Sequence, residues 1–250
     1  MPRGVNMYDE GRIQERNFGL ADGTQIVSPG FIADNLVYLM DVGNAACYPT
    51  SGTKVYDISG YNINEGSFND SPTFSLSGGG SLIFDGSGTT DYVSVPNSQW
   101  RATEATFLIW LYRNGAQLGT AGLIFYSGSL AGLNFFGTTN NLAYHWNAAS
   151  ATFNYNSGLT TPSLAWSMAA LSVYPDRAVF TLCQASGTTT ATNTTTHSPV
   201  LLNGFRIGHT ITTANRYFKG NIAIAAIYDR ALSPEEITQN FTATRARFGI

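Results

Sequence analysis

Carboxylates are the groups most able to do chemistry in this sequence, and they are few. Six glutamates occur in 250 residues, and no Glu-x-Asp-x-Glu run sets two carboxyls on one face of a strand. A retaining glycosidase needs an acid and a nucleophile facing each other roughly 5–5.5 Å apart across the bond, so such a run is the pattern to look for. Glu235 and Glu236 sit instead in Ser233-Pro-Glu-Glu, where a capping box and the positive end of a helix dipole account for both. Asp85 and Asp91 flank the turn-rich FDGSGTTD, in which Asp before Gly serves turn chemistry. His145, His197 and His209 are isolated and read as polar strand or loop residues, not ligands or bases. No G-x-S-x-G elbow occurs. Gly78-Gly79-Gly80 enters a strand pattern without a following Lys, which makes it a turn and not a phosphate cradle. Cys47 and Cys183 have no metal-type spacing and read as two lone core thiols, whose pairing the sequence leaves open.

Hard-cation ligands are the remaining option. Asp57 in D-I-S-G-Y-N, with Asn62 following, and Asp229 in I-Y-D-R could supply oxygens to a structural calcium ion, the one cofactor to expect. Each also has an explanation without metal, an Asx-turn at Asp57 and a surface pair between Asp229 and Arg230.

Such side chains need a scaffold, and the pattern around them is that of strands. Short apolar or alternating runs recur between Gly, Asn and Ser clusters at 36–40, 81–84, 92–95, 107–112, 123–126, 133–136, 142–146, 152–155, 166–174, 178–183, 205–207 and 221–228. About a dozen such strands with no helix between them predict an antiparallel sandwich. Phe107, Trp110, Tyr112, Trp146 and Trp166 are expected to fill the core between its sheets, since large aromatics dominate such interiors. The one helix starts at Ser233, with Leu232 and Ile237 as a hydrophobic staple, and ends near Ala243. The Thr-rich stretch 186–198 cannot build a core and reads as a hairpin with its loop.

Composition narrows the partners. Charged residues are 12% of the chain and the net charge is −3, with Arg scattered in no run or stripe, so a nucleic-acid partner is not expected. No stretch approaches the 18 apolar residues of a membrane span. The segment 1–16 lacks the h-region of a secretory leader. It is polar, carrying Arg3, Arg12 and Arg16 against Asp9, Glu10 and Glu15, and reads as an N-terminal arm ahead of a domain spanning 17–250. Such an arm could order against a neighbouring subunit, and a frayed terminus is the alternative reading.

Several segments together carry a family resemblance. QIVSPGFIADNLVYLMDVGN, YPTSGTKVYDISGYN, FDGSGTTDYVSV, ATFLIWLYR, WSMAALSVYPDRAVFTLC and the closing FRIGHTITTANRYFKGNIAIAAIYDRALSPEEITQNFTATRARFG resemble, in order and spacing, concanavalin A-like domains of the laminin-G type found in tailed-phage structural proteins. The resemblance implies an all-β, jelly-roll sandwich of two antiparallel sheets with one short C-terminal helix, a fold on which relatives often hold a structural calcium. It implies a non-enzymatic virion protein, foremost a capsid decoration protein that docks on capsid or tail subunits or forms a homo-oligomer. The alternative is a lectin-like module of a tail fibre or baseplate that binds host-surface glycans. Fold alone does not choose between them.

Overall fold

The computed structural model describes residues 28–60, 65–70, 72–86, 91–210 and 216–250. The arm at 1–16 and the calcium candidate Asn62 lie outside the described residues. Two antiparallel sheets face each other. One has eight strands: β1 (Leu36–Asp41), β4 (Thr73–Ser75), β5 (Ser81–Asp85), β7 (Ala105–Arg113), β11 (Trp166–Val173), β12 (Ala178–Gln184), β13 (Gly187–Asn193) and β15 (Lys219–Tyr228). The other has seven: β2 (Lys54–Val55), β3 (Gly66–Asn69), β6 (Tyr92–Ala102), β8 (Gly122–Tyr126), β9 (Ala131–Phe135), β10 (Leu142–His145) and β14 (Val200–Ile207), in the order β10-β9-β8-β14-β6-β3-β2. In the larger sheet β15 pairs with β7 along one edge. Its other edge is shared, β5 pairing with Lys219–Ile222 and β1 with Ile224–Tyr228, and the β7 register shifts between Ile222 and Ile224 at the same level.

Alternation sorts the side chains of β7 into two cores. Phe107 points toward the smaller sheet, 6.1 Å from the Tyr126 ring, with Ile109 and Leu111 on the same side by the period of two. Tyr38, Tyr144, Trp146, Phe180 and Phe205 join this layer, and all are buried. Thr106, Leu108, Trp110 and Tyr112 point the other way, onto a helix. This corrects the expectation for three aromatics: Trp110, Tyr112 and Trp166 lie beneath the C-terminal segment, not between the sheets. Trp110 stacks 3.8 Å from Phe248 and 5.5 Å from Phe241 and donates its Nε1–H to Thr244 Oγ1 at 2.9 Å. Trp166 leans on Phe248 and Tyr112. Both faces of the larger sheet are therefore covered at its centre, which is why β7 and β11 are buried along nearly their whole length.

The covering element is α2 (Pro234–Thr244), continued by a 3-10 turn at Arg245–Phe248. Its start follows the capping expectation: Ser233 Oγ accepts from the Glu236 N–H, while the Ser233 N–H donates to Glu236 Oε2 at 2.8 Å. Leu232 and Ile237 are both buried. The triple glycine forms a 3-10 turn at Ser77–Gly79, and Arg247 donates to the carbonyls of Gly78 and Gly80.

One predicted strand is a helix. Residues 152–155 fall on α1 (Ser150–Phe153) and the turn after it. Thr152 Oγ1 donates to the Ala149 carbonyl and accepts the Trp146 N–H, so local hydroxyl bonding closes a helical turn where the alternation of Phe153 and Tyr155 suggested extension. The Thr-rich stretch forms β13, hairpin-paired to β12 as expected. His197 closes its far end. Its Nδ1–H donates to the Tyr174 carbonyl at 2.8 Å, and its Nε2 accepts from the Tyr144 hydroxyl at 2.9 Å.

Candidate functional site

The smaller sheet turns one face outward, and the pairing register lays a row of side chains across all seven strands. Lys54, Ser67, Ser94, Arg206, Phe125, Gly132 and His145 are successive cross-strand neighbours. Gly132 is required within that row. It has φ +142°, and a Cβ there would meet the Ile124 carbonyl oxygen at 2.2 Å.

A break in the sheet opens a cleft beside this row. The β6–β14 register shifts between Asn203 and Phe205, where Pro96 has no N–H to give the ladder. Gly204 opposite takes a left-handed φ of +54°, with the Pro96 oxygen 3.1 Å from where its Cβ would stand. Such bulges re-aim side chains and part the strands. The resulting cleft of about 140 Å³ is lined by Ser94, Val95, Pro96, Ser127, Gly204, Phe205 and Arg206. No carboxylate is among them.

Arg206 is held in place. Its guanidinium lies 4.2 Å from the Tyr92 ring centroid, and one N–H donates to His209 Nδ1 at 3.0 Å. His209 stacks with both Tyr92 at 5.5 Å and Tyr217 at 4.0 Å, with near-parallel rings. Because arginine only donates, Nδ1 of His209 must be an acceptor.

Farther along the face, the Asn134 amide donates to the Phe135 carbonyl, so its Oδ1 accepts from His145 Nδ1–H at 2.9 Å. His145 also stacks on Phe153 and meets Phe125 edge-on. Burial first, and the positive charge of Arg216 second, push His145 down to about 4. The folded ring stays neutral while the unfolded one titrates near 6.5. Stability should be fully present above about pH 6.5 and decline as pH falls toward 4, by on the order of 3 kcal/mol. His197, also pushed down by burial, steepens the fall. Denaturant melts compared between neutral and mildly acidic buffer check this, and His145→Gln should flatten the decline.

The residues singled out from the sequence lie elsewhere and apart. Asp57 is buried, and its Oδ1 accepts the N–H groups of Leu39 and Ser59 at 3.0 and 2.9 Å, the second being the Asx-turn. Asp229 is at the level of Asn35, to whose carbonyl its N–H donates. Four residues of strand, about 13 Å, separate that level from Leu39, so Asp57 and Asp229 do not share a site. Among the described residues no group of three His, Cys, Asp or Glu could hold a metal ion. The Arg230 guanidinium is taken by Glu236 at 2.7 Å and Asp34 at 3.5 Å, in place of the pairing with Asp229 that adjacency suggested. Asp91 Oδ2 accepts the Asp85 N–H at 3.1 Å, and burial, aided by Asp85 and Asp70, raises the Asp91 carboxyl. Cys47 and Cys183 are free and buried, and burial pushes the Cys47 thiol up to about 12. Sequence reading missed Tyr92, Ser94, Ser127, Gly204 and Arg206. Alternation in Y-V-S-V and F-R-I could have put Tyr92, Ser94 and Arg206 on outward faces, but not on adjacent strands.

Two antiparallel sheets, one of them presenting a grooved polar and aromatic outer face, define a lectin-like sandwich. A family profile described as the concanavalin A-like lectin/glucanases superfamily matches residues 87–238, more than half of the chain, and the protein belongs to that family. No curated protein sequence matches the chain. Domain 4 of AbnA, an extracellular arabinanase of Geobacillus stearothermophilus solved in complex with arabinotriose, superposes with a TM-score of 0.61 at 16% identity, over 82% of this chain and 98% of that one. Trypanosoma rangeli sialidase in complex with sialic acid gives 0.59 at 14% identity, over 87% of this chain and 34% of that one. The binding domain of Paraclostridial Mosquitocidal Protein 1 gives 0.55 at 14%, over 86% and 53%. The chain thus spans about a third of the length of the sialidases it matches, and at these identities the likeness is one of fold.

Proposed function

We propose that this protein is a non-enzymatic carbohydrate-binding module whose sugar site is the bulge cleft on the outer face of the seven-stranded sheet. One observation carries the reading: the cleft joins the hydroxyl-bearing Ser94 and Ser127 to an arginine already stacked on Tyr92, with no carboxylate among the described residues of its lining. Sugars are recognised by hydrogen-bond donors and acceptors at fixed positions beside an aromatic or apolar surface. Hydrolysis would need paired carboxyls, and none stands among the described residues of the cleft. A domain of this fold solved with arabinotriose supports the assignment. At about 140 Å³ the cleft suits one sugar unit, and a Kd of roughly 0.1–1 mM is expected for it.

Filling the cleft tests the proposal. Ser94 faces outward at its mouth, so Ser94→Trp should remove binding to a glycan panel while leaving the melting temperature within a few degrees of wild type. A variant that binds as well as wild type, or a wild type that binds no glycan, would refute the reading.

The virion reading, with capsid or tail subunits or further copies of the chain as partners and calcium as an optional structural ion, is supported by the segments that resemble tailed-phage domains. It is compatible with sugar binding, since a virion-borne module would meet host-surface glycans. Stoichiometric recovery of the chain from purified particles is its direct test.

A further inference from the structure

We infer that the cleft selects acidic sugars, taking the carboxylate of a uronic or sialic acid on the guanidinium of Arg206. The inference rests on the carbohydrate-binding reading and narrows it to a chemical class. Several cations elsewhere in the fold are answered within the protein. Lys54 pairs with Glu65, Arg177 with Asp176, Arg230 with Glu236 and Arg247 with Asp41, while Arg113 is sunk among the carbonyl and hydroxyl oxygens of Thr161. Arg206 has no acidic partner among the described residues. Its protein contacts are the ring of Tyr92 and the acceptor nitrogen of His209, and neither carries a negative charge.

That arrangement leaves a positive charge half-buried at the wall of a cleft, on a chain whose net charge is −3, so the local sign is not a by-product of a basic surface. It also fixes the group's geometry. Stacking on Tyr92 and the bond to His209 hold the guanidinium plane, and the N–H groups not used by His209 remain to donate. A planar fork held in advance matches a carboxylate with two parallel hydrogen bonds and loses little entropy on binding, whereas a neutral sugar offers no charge to answer it. The hydroxyls of Ser94 and Ser127 stand in the same lining, where a ring attached to that carboxylate would place its own hydroxyls.

The test is calorimetric titration of the full chain with digalacturonate, its neutral counterpart digalactose, 3′-sialyllactose, lactose and a sulfated disaccharide. At least one carboxylated ligand should bind about tenfold or more tighter than its neutral partner, with the preference shrinking as salt rises. Which of the two shows it distinguishes a uronate from a sialate. Arg206→Gln should erase the preference. Arg206→Lys, which keeps the charge but not the fork, should lose most of it, and the melting temperature of both variants reports whether the Tyr92–His209 stack persists. Equal affinity for acidic and neutral sugars, a preference that survives Arg206→Gln, or a response to sulfate alone would overturn this inference and leave the carbohydrate reading standing. Absence of binding to every sugar would overturn both.

Discussion

Replacing Trp110 by alanine should destabilise the domain by about 3–5 kcal/mol and lower its melting temperature by roughly 6–20 °C. The indole is fully buried and is the anchor between β7 and the C-terminal segment. It stacks on Phe241 and Phe248 and bonds Thr244 Oγ1, which donates in turn to the Asn240 carbonyl. Truncation empties a site enclosed by a sheet on one side and α2 on the other, and two packed elements do not collapse easily onto a void. Trp110→Phe keeps an aromatic against both rings and forfeits the hydrogen bond, so its cost should be near 1 kcal/mol. Location can be tested separately. With Trp110 under α2, removing residues 234–250 should expose the indole and shift its emission to the red. An indole lying between the sheets would keep its blue emission.

That distinction shows where sequence reading stops. In A-T-F-L-I-W-L-Y-R every position is apolar or aromatic enough to be buried, so alternation carries no label for which face meets the other sheet and which meets the helix. The strand itself, its length and its neighbours β11 and β15 follow from such apolar runs. The capping box located α2 for a similar reason: Ser233, Glu236 and the staple are local interactions complete within a few residues. Residues 152–155 failed on the same scale, because a threonine hydroxyl bonding to Ala149 outweighs the alternation of two aromatics. The site was the least legible part. Arg206, Ser94 and Ser127 lie far apart in the chain, and what unites them is a bulge made by Pro96 and Gly204 on different strands. Neither residue alone signals a cleft, and the scattered arginines gave no reason to prefer Arg206. Knowing which cations have acidic partners requires the fold.

Asp57 separates a structural clamp from a metal ligand. Asp57→Ala should cost roughly 3–5 kcal/mol, since it strands two buried backbone donors, each bond to a charged acceptor being worth about 1.5–3 kcal/mol. The carboxylate ties Leu39 of β1 to the turn at Ser59, and the Tyr56 N–H binds the Cys47 carbonyl beside it. The segment after β2 is therefore docked on the strand by groups without access to water. Burial, together with Asp57 nearby, also raises Tyr38 and Cys47, so both neighbours stay protonated. Asp57→Asn leaves an oxygen in place to accept from Leu39 and Ser59 and removes only the charge, so a loss of about 1–2 kcal/mol is expected, well short of the alanine variant. A calcium ligand would behave differently. An amide oxygen is a poor substitute for a carboxylate toward a hard cation, so the asparagine variant would then be nearly as damaged as alanine. An ion bound only by the folded state would also add RT ln(1 + [L]/Kd) to wild-type stability, and excess chelator would lower the melting temperature. The backbone clamp requires a mild asparagine variant and melting indifferent to chelator. A severe asparagine variant together with chelator sensitivity would show that Asp57 acts through an ion.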